Sequence, residues 1–424
     1  MDQVGKRNRN TGPAVAAALL AVSIFQLADA GQSPAAETSS AESGVQEAVA
    51  ETAAPEETTT SSASATSRAA EAVERGDWIW PPYVEGYLGV EVFYDGIFES
   101  GDTTNDLFTE TKLGGTVFMR RELFVEFAAS LAPATAPDPG QTAIFDDHGV
   151  AIGLLALTWD RDTYWISGGK GRANFSIAQS IAPGIWGSDI ANDNIKVAGR
   201  WGVAGNYGFD LGQFGDHAFE ASTFFADTTV LGQRFGSSRG QLKRSDGGPS
   251  NTESPESFAL ALDGTNIAAA PGLRYHLAGL RQKVDRLNDA TGQPLPSSAV
   301  SDEWRIAAAL VWNNLILSEN ASVTPIVEFV HFWNARGLEN RSENYATAGA
   351  EFFLGQWSLA LASTYWNIDN PGASGVDNVL VNVSGGYLFE SGFGIDLGYR
   401  YLDEDNQTSN TIGVALSYDL RFAF

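Results

Sequence analysis

The chain has 424 residues, 26 Lys and Arg against 52 Asp and Glu, a formal net charge of −26, 45 Gly and no Cys. That length holds one large β domain or two to three ordinary ones. An acidic chain without a basic stripe is repelled by a phosphate backbone, which argues against nucleic acid as a partner, and the absence of Cys rules out a disulfide framework.

Lys6, Arg7 and Arg9 precede the apolar run AVAAALLAVSIFQL, and ADA ends at Ala30. A positive start, a short apolar core and a small-x-small site predict an export signal over 1–30. No later apolar run approaches the roughly 20 residues that a membrane helix needs. The exported chain is therefore either soluble or crosses a membrane as a barrel. Over 31–77 the chain is mostly Ala, Glu, Ser and Thr without an aromatic residue. Such a segment cannot bury a core, and it predicts a disordered, low-complexity periplasmic linker or an inert tail.

From Trp78 the texture becomes alternating stretches broken by turns. The last fourteen residues, TIGVALSYDLRFAF, put Ile412, Val414, Leu416, Tyr418, Leu420, Phe422 and Phe424 on one face. The other face carries Thr411, Gly413, Ala415, Ser417, Asp419, Arg421 and Ala423. FGIDLGYRYL, VLVNVSGGYLF, EWRIAAALVWN and YVEGYLGVEVFY repeat the pattern. Strict period-two alternation argues strand. Taken in order, strands are predicted near 84–95, 108–119, 122–132, 149–159, 162–169, 195–211, 217–226, 256–263, 271–282, 303–313, 321–333, 344–354, 357–367, 377–389, 393–403 and 410–424. The total is about sixteen, with fourteen or eighteen left open.

Short links such as RRE, GQFGD and ESG interleave with long ones such as FESGDTTND, APATAPDPGQTAIFDDHG and DEDNQTSN. Sorting loops by side is expected of an antiparallel meander closed into a transmembrane barrel, and a soluble sandwich has no reason to do it. Trp159, Trp312, Trp357, Phe389, Phe393 and Phe424 lie beside predicted short turns, where aromatic rings suit a membrane–water boundary. In lipid every backbone N–H and C=O must be paired within the protein, so spanning strands must close. The fold class expected over 78–424 is thus all-β, a transmembrane antiparallel up-and-down β-barrel of about sixteen strands.

The export signal, the alternating strands and the terminal SYDLRFAF resemble the porins of Gram-negative outer membranes. The resemblance covers roughly Trp78 to Phe424 as architecture. It implies an outer-membrane location, contact with outer-membrane lipid and lipopolysaccharide, a homotrimer, and a loop between the third and fourth strands as a candidate latch. It also implies that Phe424, Phe422 and Tyr418 form the signal read by the barrel-assembly machinery. The implied function is passive diffusion of small hydrophilic solutes or ions. The alternatives are a substrate-preferring channel, for example for carbohydrate along Tyr87, Phe93 and Phe118, and a plugged structural or adhesive barrel.

A barrel of this size leaves an aqueous lumen. The resemblance implies that the loop between the fifth and sixth strands folds inward. That stretch, GKGRANFSIAQSIAPGIWGSDIANDN, is more apolar than a loop meant for bulk water. Lys170, Arg172, Phe175, Trp186, Asp189 and Asp193 are its candidate constriction residues. A loop folded over the rim or touching a neighbouring subunit is the alternative. On the wall, parity directs Arg200, Arg274, Arg305, Arg400 and Arg421 inward, together with Glu85, Glu91, Glu126, Asp210, Glu220, Glu328, Asp396 and Asp419. Opposed rows of unlike charge would set a transverse field across the bore, or these groups pair with each other and stiffen the wall. Their acidic excess suggests a mild cation preference.

Enzyme readings find little support. None of His148, His217, His276 or His331 is followed two residues later by Ser, as the outer-membrane phospholipases would require. No Gly-x-Ser-x-Gly elbow lies between strand and helix, GGKGRANF lacks phosphate-loop spacing, and paired metal-binding His or Cys are missing. No cofactor is expected.

Overall fold

A computed structural model describes residues 78–289 and 291–424; the predicted export signal and the 31–77 linker lie outside the described residues. Sixteen long strands form one closed sheet. They are β1 (Tyr83–Glu99), β2 (Asp102–Arg120), β3 (Leu123–Pro133), β4 (His148–Asp160), β5 (Tyr164–Arg172), β6 (Ala198–Asp210), β7 (Asp216–Ala226) and β8 (Ser257–Thr265). The other half comprises β9 (Leu273–Gln282), β10 (Glu303–Trp312), β11 (Ala321–Trp333), β12 (Ser342–Leu354), β13 (Trp357–Asp369), β14 (Val376–Leu388), β15 (Phe393–Glu404) and β16 (Gln407–Ala423). Each long strand pairs antiparallel with the next, and β16 pairs with β1 from Glu85↔Ala423 to Glu99↔Ser409. Val84 N–H donates to Phe424 O at 2.9 Å and Phe424 N–H to Val84 O at 3.0 Å, so the last residue completes the seam. Closure removes the free edges that hydrocarbon could not solvate.

The alternation of β16 becomes two different faces. Ile412 and Leu420 are 50% and 48% exposed, whereas Thr411 and Ala415 are 0% and 3% exposed. The same division runs round the wall, with Leu359, Leu361, Leu397 and Tyr399 outward. In contact with acyl chains that face is stable because its exposed side chains are largely apolar and its backbone N–H and C=O groups are paired in the strand ladders.

Links at one end, which also holds Tyr83 and Phe424, are short: 121–122, 161–163, 211–215, 266–272, 355–356 and 389–392. Links at the other end include 134–147, 173–197, 227–256 and 283–302. Two links expected to be long are corrected. FESGDTTND and DEDNQTSN are mostly strand, closed by the two-residue turns Ser100–Gly101 and Asp405–Asn406. All four turn residues have positive φ, from 51° to 91°, the backbone of a tight hairpin turn matched to strand twist. Polarity had suggested loop there because the strands run on past the apolar band.

Two shorter strands fill gaps. Thr142–Ile144 lies parallel to Asn105–Leu107 of β2, and Leu315–Ser318 pairs with Ala321–Val323 of β11. The link between β3 and β4, expected as a latch, thus pairs part of its backbone with its own wall. β5 is short, and its neighbour β4 is extended instead by the link after β7, where Val150 and Phe235 exchange backbone bonds of 2.8 Å.

Candidate functional site

The link 173–197 between β5 and β6 folds into the bore. Its apolar residues explain why. Phe175, Ile185, Trp186 and Ile195 are 0–1% exposed, a burial worth about 1.5–3 kcal/mol for each large side chain. The short helix α1 (Ala178–Ile181) follows Phe175. Phe175 and Ile177 join a core with Phe224, Val311, Phe332 and Trp366 from the facing wall. Ile185 and Trp186 form a second cluster with Phe93, Phe108 and Ala415.

Two wall glycines make room for that second cluster. Gly398 on β15 and Gly413 on β16 are direct cross-strand partners. A Cβ on Gly413 would lie 2.4 Å from Trp186, and one on Gly398 2.8 Å from the same ring. Both distances are below any real contact, so the ring occupies a notch that only paired glycines leave open. Gly349 similarly admits Pro183, whose ring a Cβ would meet at 2.8 Å.

Polar groups fix the loop where its backbone is buried, which satisfies groups that would otherwise be costly. Glu328 accepts from Ser176 Oγ at 2.6 Å and from the N–H groups of Ile177 and Ala178 at 2.8 and 3.2 Å. His276 lies between Phe175 O and Asp263 Oδ1, 3.0 Å from each. Arg305 donates to Ile195 O at 2.7 Å and to Glu303 at 2.7 Å. Arg400 donates to Asp189 at 3.2 Å and lies 5.4 Å from the Trp186 ring centroid. Replacing Glu328 with Ala strands one hydroxyl and two N–H groups, a loss of about 2–4 kcal/mol of anchoring. Limited proteolysis is expected to cut the 173–197 loop in that variant and spare the wild type, with the barrel itself intact.

The sequence-predicted residues divide by place. Phe175 and Trp186 are buried anchors, Asp189 is bound by Arg400, and Asp193 is exposed on the loop. Lys170 stands apart from the constriction. Its buried ammonium lies 2.6 Å from Asp227 and also donates to Leu231 O, tying down the link after β7. Arg274 pairs with Asp263 at 3.3 Å. Glu328, Arg305 and Arg400 hold the loop, and Asp396 is 2% exposed. Asp210 and Arg421 are exposed near the short-link rim, Asp210 accepting from Gly212 N–H at 2.6 Å, and Glu85 accepts from the Tyr83 hydroxyl at 2.9 Å. Phe93 is stacked on Phe108 at 5.0 Å beneath the loop rather than along a solute path.

Between the loop and β3–β7 remains a chamber of about 160 Å³, room for several waters. Glu126, Thr158, Ser167, Arg172, Arg200 and Glu220 line it. Thr158 donates to Glu126 at 2.8 Å and bonds Ser167 at 3.0 Å; Asn174 donates to Glu220 at 3.2 Å. The two feet of the loop carry Arg172 and Lys196. Lys196 feels Arg172 and Lys112 as repelling neighbours and Glu110 and Asp193 as attracting ones; burial first, then those cations, push its ammonium down to about 8. Lys112 on β2 lies 3.6 Å from Glu91 and 3.8 Å from Glu110. Cationic loop feet thus face a wall patch with two carboxylates and one ammonium.

Sequence reasoning missed Lys112, Glu110 and Lys196. Lys112 and Glu110 share the inward phase of β2, and Lys196 was placed within a strand. The Asp263–His276 contact needs cross-strand register, which one strand's pattern does not contain.

No family model matches the chain, and no curated protein matches it. Solved structures do. OprB of Pseudomonas putida aligns with a TM-score of 0.52 at 11% identity, over 83% of this chain and 96% of its own. OmpF of Salmonella typhi, in complex with daunomycin, aligns with 0.50 at 11% identity, over 80% and 97%. A loop-deletion mutant of OmpT, an outer membrane protein of Vibrio cholerae, aligns with 0.50 at 12% identity, over 80% and 99%. The chain shares the fold of outer-membrane porins.

Proposed function

We propose that the chain is an outer-membrane channel of a Gram-negative bacterium through which small hydrophilic solutes or ions diffuse passively. The observation that carries this is the pairing of a closed, outwardly apolar wall with a bore narrowed by an internal loop beside a charged, hydrophilic chamber. Charged linings and constrictions of this kind sort solutes without chemistry, and we read the chain as non-enzymatic. A substrate-preferring channel is the second reading, favoured by the polar side chains of Glu126, Asn174, Arg200 and Glu220 gathered around one chamber. Planar-bilayer recording tests the proposal: stepwise openings support it, and a silent, correctly folded barrel would mean a plugged structural one. Solute flux linear in concentration marks the general channel, and saturating flux the selective one.

Homotrimer assembly belongs to the same proposal. The outward row of β2 includes Thr109 and Thr111 between Leu107 and Leu113, more polar than the outward row of β15, a face better covered by a second copy than by acyl chains. So does recognition of the C-terminal strand by the assembly machinery. Phe424 is 67% exposed and Phe422 stacks on it at 6.0 Å, leaving an aromatic grip at the seam. Deleting Phe424 is expected to lower the heat-modifiable barrel recovered from outer membranes several-fold. Refolding of the purified chain into detergent micelles should barely change.

A further inference from the structure

The loop that fills the bore is held at its entry by a histidine that faces two acceptors. His276 on β9 is fully buried. Its Nδ1 lies 3.0 Å from Oδ1 of Asp263, its direct cross-strand partner on β8, and its Nε2 lies 3.0 Å from the backbone oxygen of Phe175. A carbonyl oxygen only accepts. Asp263 is set as an acceptor too, because Arg274 and Asn174 donate to it at 3.3 and 3.2 Å. A neutral imidazole has one N–H and one lone pair. It serves one of these oxygens and turns a lone pair on the other. Only the imidazolium serves both.

Charge around the ring is mixed. Asp263 comes from β8, Glu220 from β7 and Glu328 from β11, while Arg274 stands two residues away on β9 and β10 places the uncharged Ala309 opposite. The loop adds Asn174, which divides its amide between Glu220 and Asp263 at 3.2 Å each, and Arg172, an attracting neighbour of Glu220. Three carboxylates against two guanidinium groups leave a place for one more positive charge, and the imidazolium fills it. The chamber reaches Asn174, Glu220 and Arg274, so water there can bring and remove the proton.

We propose that a proton on His276 latches the 173–197 loop: the imidazolium bridges Asp263 to Phe175, and the entry of the loop loosens when that proton leaves. The neutral ring keeps its one N–H on the carboxylate, where the bond is charge-assisted, and turns its lone pair on Phe175 O. Residues 174–178 then lose a tie and gain a repulsion. Glu328 and the Trp186 notch hold the rest of the loop. Low pH therefore keeps the loop entry docked, and rising pH frees it. The latch concerns only how the loop docks, so it does not depend on what the bore conducts.

The test uses the full-length protein in detergent micelles. Hydrogen exchange of the Phe175–Ala178 amides, corrected for the intrinsic rate, is followed from about pH 5 to about pH 9, across the histidine range. Wild type should lose roughly tenfold or more of its protection there as pH rises, the scale of one hydrogen bond to a charged group, with β15 and β16 unchanged. His276→Gln, whose amide offers Phe175 O an N–H at every pH, should stay protected throughout, and His276→Ala should be poorly protected throughout. Ring nitrogen chemical shifts give a check that needs no change at this site. The chain has four His, told apart by substituting the other three. Both nitrogens of His276 should be protonated where the loop is protected, and the ring should titrate where protection falls. Protection that ignores pH in wild type, an equal loss in His276→Gln, or a ring that titrates elsewhere overturns the latch. Conductance is read separately: a conducting barrel whose loop amides ignore the ring sinks only this inference, and a silent barrel whose amides follow it sinks only the channel.

Discussion

Trp186→Ala is expected to enlarge the single-channel conductance and add open-state noise, while the melting behaviour of the barrel stays close to wild type. Trp186 is fully buried, and with Ile185 it anchors the middle of a loop of more than twenty residues. Removing a buried Trp side chain costs about 3–5 kcal/mol. A loss of even about 3 kcal/mol shifts a docked–undocked equilibrium by more than a hundredfold. The loop keeps its polar ties near β9–β11, at Glu328, His276 and Arg305, so its far segment is what loosens. The wall is unaffected because its stability comes from strand ladders that the ring does not join, and local opening is separable from global unfolding. Gly413→Leu makes the same point from the other partner. Its Cβ alone would lie 2.4 Å from the ring, so the indole must leave the notch although nothing in the loop has changed. Bilayer recordings of both variants, with heat-modifiable migration as the folding control, decide it. Unchanged conductance and noise in both would mean that the loop does not limit the bore.

The barrel was legible because a strand between lipid and water must alternate, and alternation survives in one sequence without any knowledge of neighbours. TIGVALSYDLRFAF shows this at its clearest. Loop lengths were less legible: Ser100–Gly101 and Asp405–Asn406 are tight turns whose flanking polar residues continue the strands past the membrane. That 173–197 would not sit in bulk water could be read from Phe175, Ile185 and Trp186. Where it docks could not, because the notch exists only once Gly398 and Gly413 are brought into register from two strands. The inward phase of Arg274, Arg305 and Arg400 was readable from parity. Their engagement with Asp263, Ile195 O and Asp189 was not, and that engagement takes them out of the free charge of the bore.

What remains for selectivity is mostly at the loop feet, and reversing Lys196 there changes which ions pass. In Lys196→Glu the site that repels Arg172 and Lys112 becomes one that attracts them, beside the carboxylates of Glu110 and Asp193. A unit charge acting over about 6 Å is worth roughly 0.7 kcal/mol in bulk water and close to 3 kcal/mol at an effective dielectric constant near 20. The reversal changes the charge by two units and is felt with opposite sign by anions and cations, so even at the bulk-water limit the anion-to-cation permeability ratio should fall by about a hundredfold. Reversal potentials in a salt gradient measure it. The shift should be largest near 0.1 M salt, where the screening length of about 10 Å exceeds the gap, and fade towards 1 M, where it is about 3 Å. Wild-type protein supplies an internal control, since Lys196 titrates near 8. Raising the pH from 7 to 9 removes that positive charge, and the channel should drift towards cations as it does so. Lys196→Gln should start part of the way to the drifted value and show a smaller drift, the difference being the contribution of Lys196 itself, since the carboxylates of the bore remain. A drift of full size in Lys196→Gln, or a reversal potential untouched by Lys196→Glu, would place the selecting charge elsewhere in the bore.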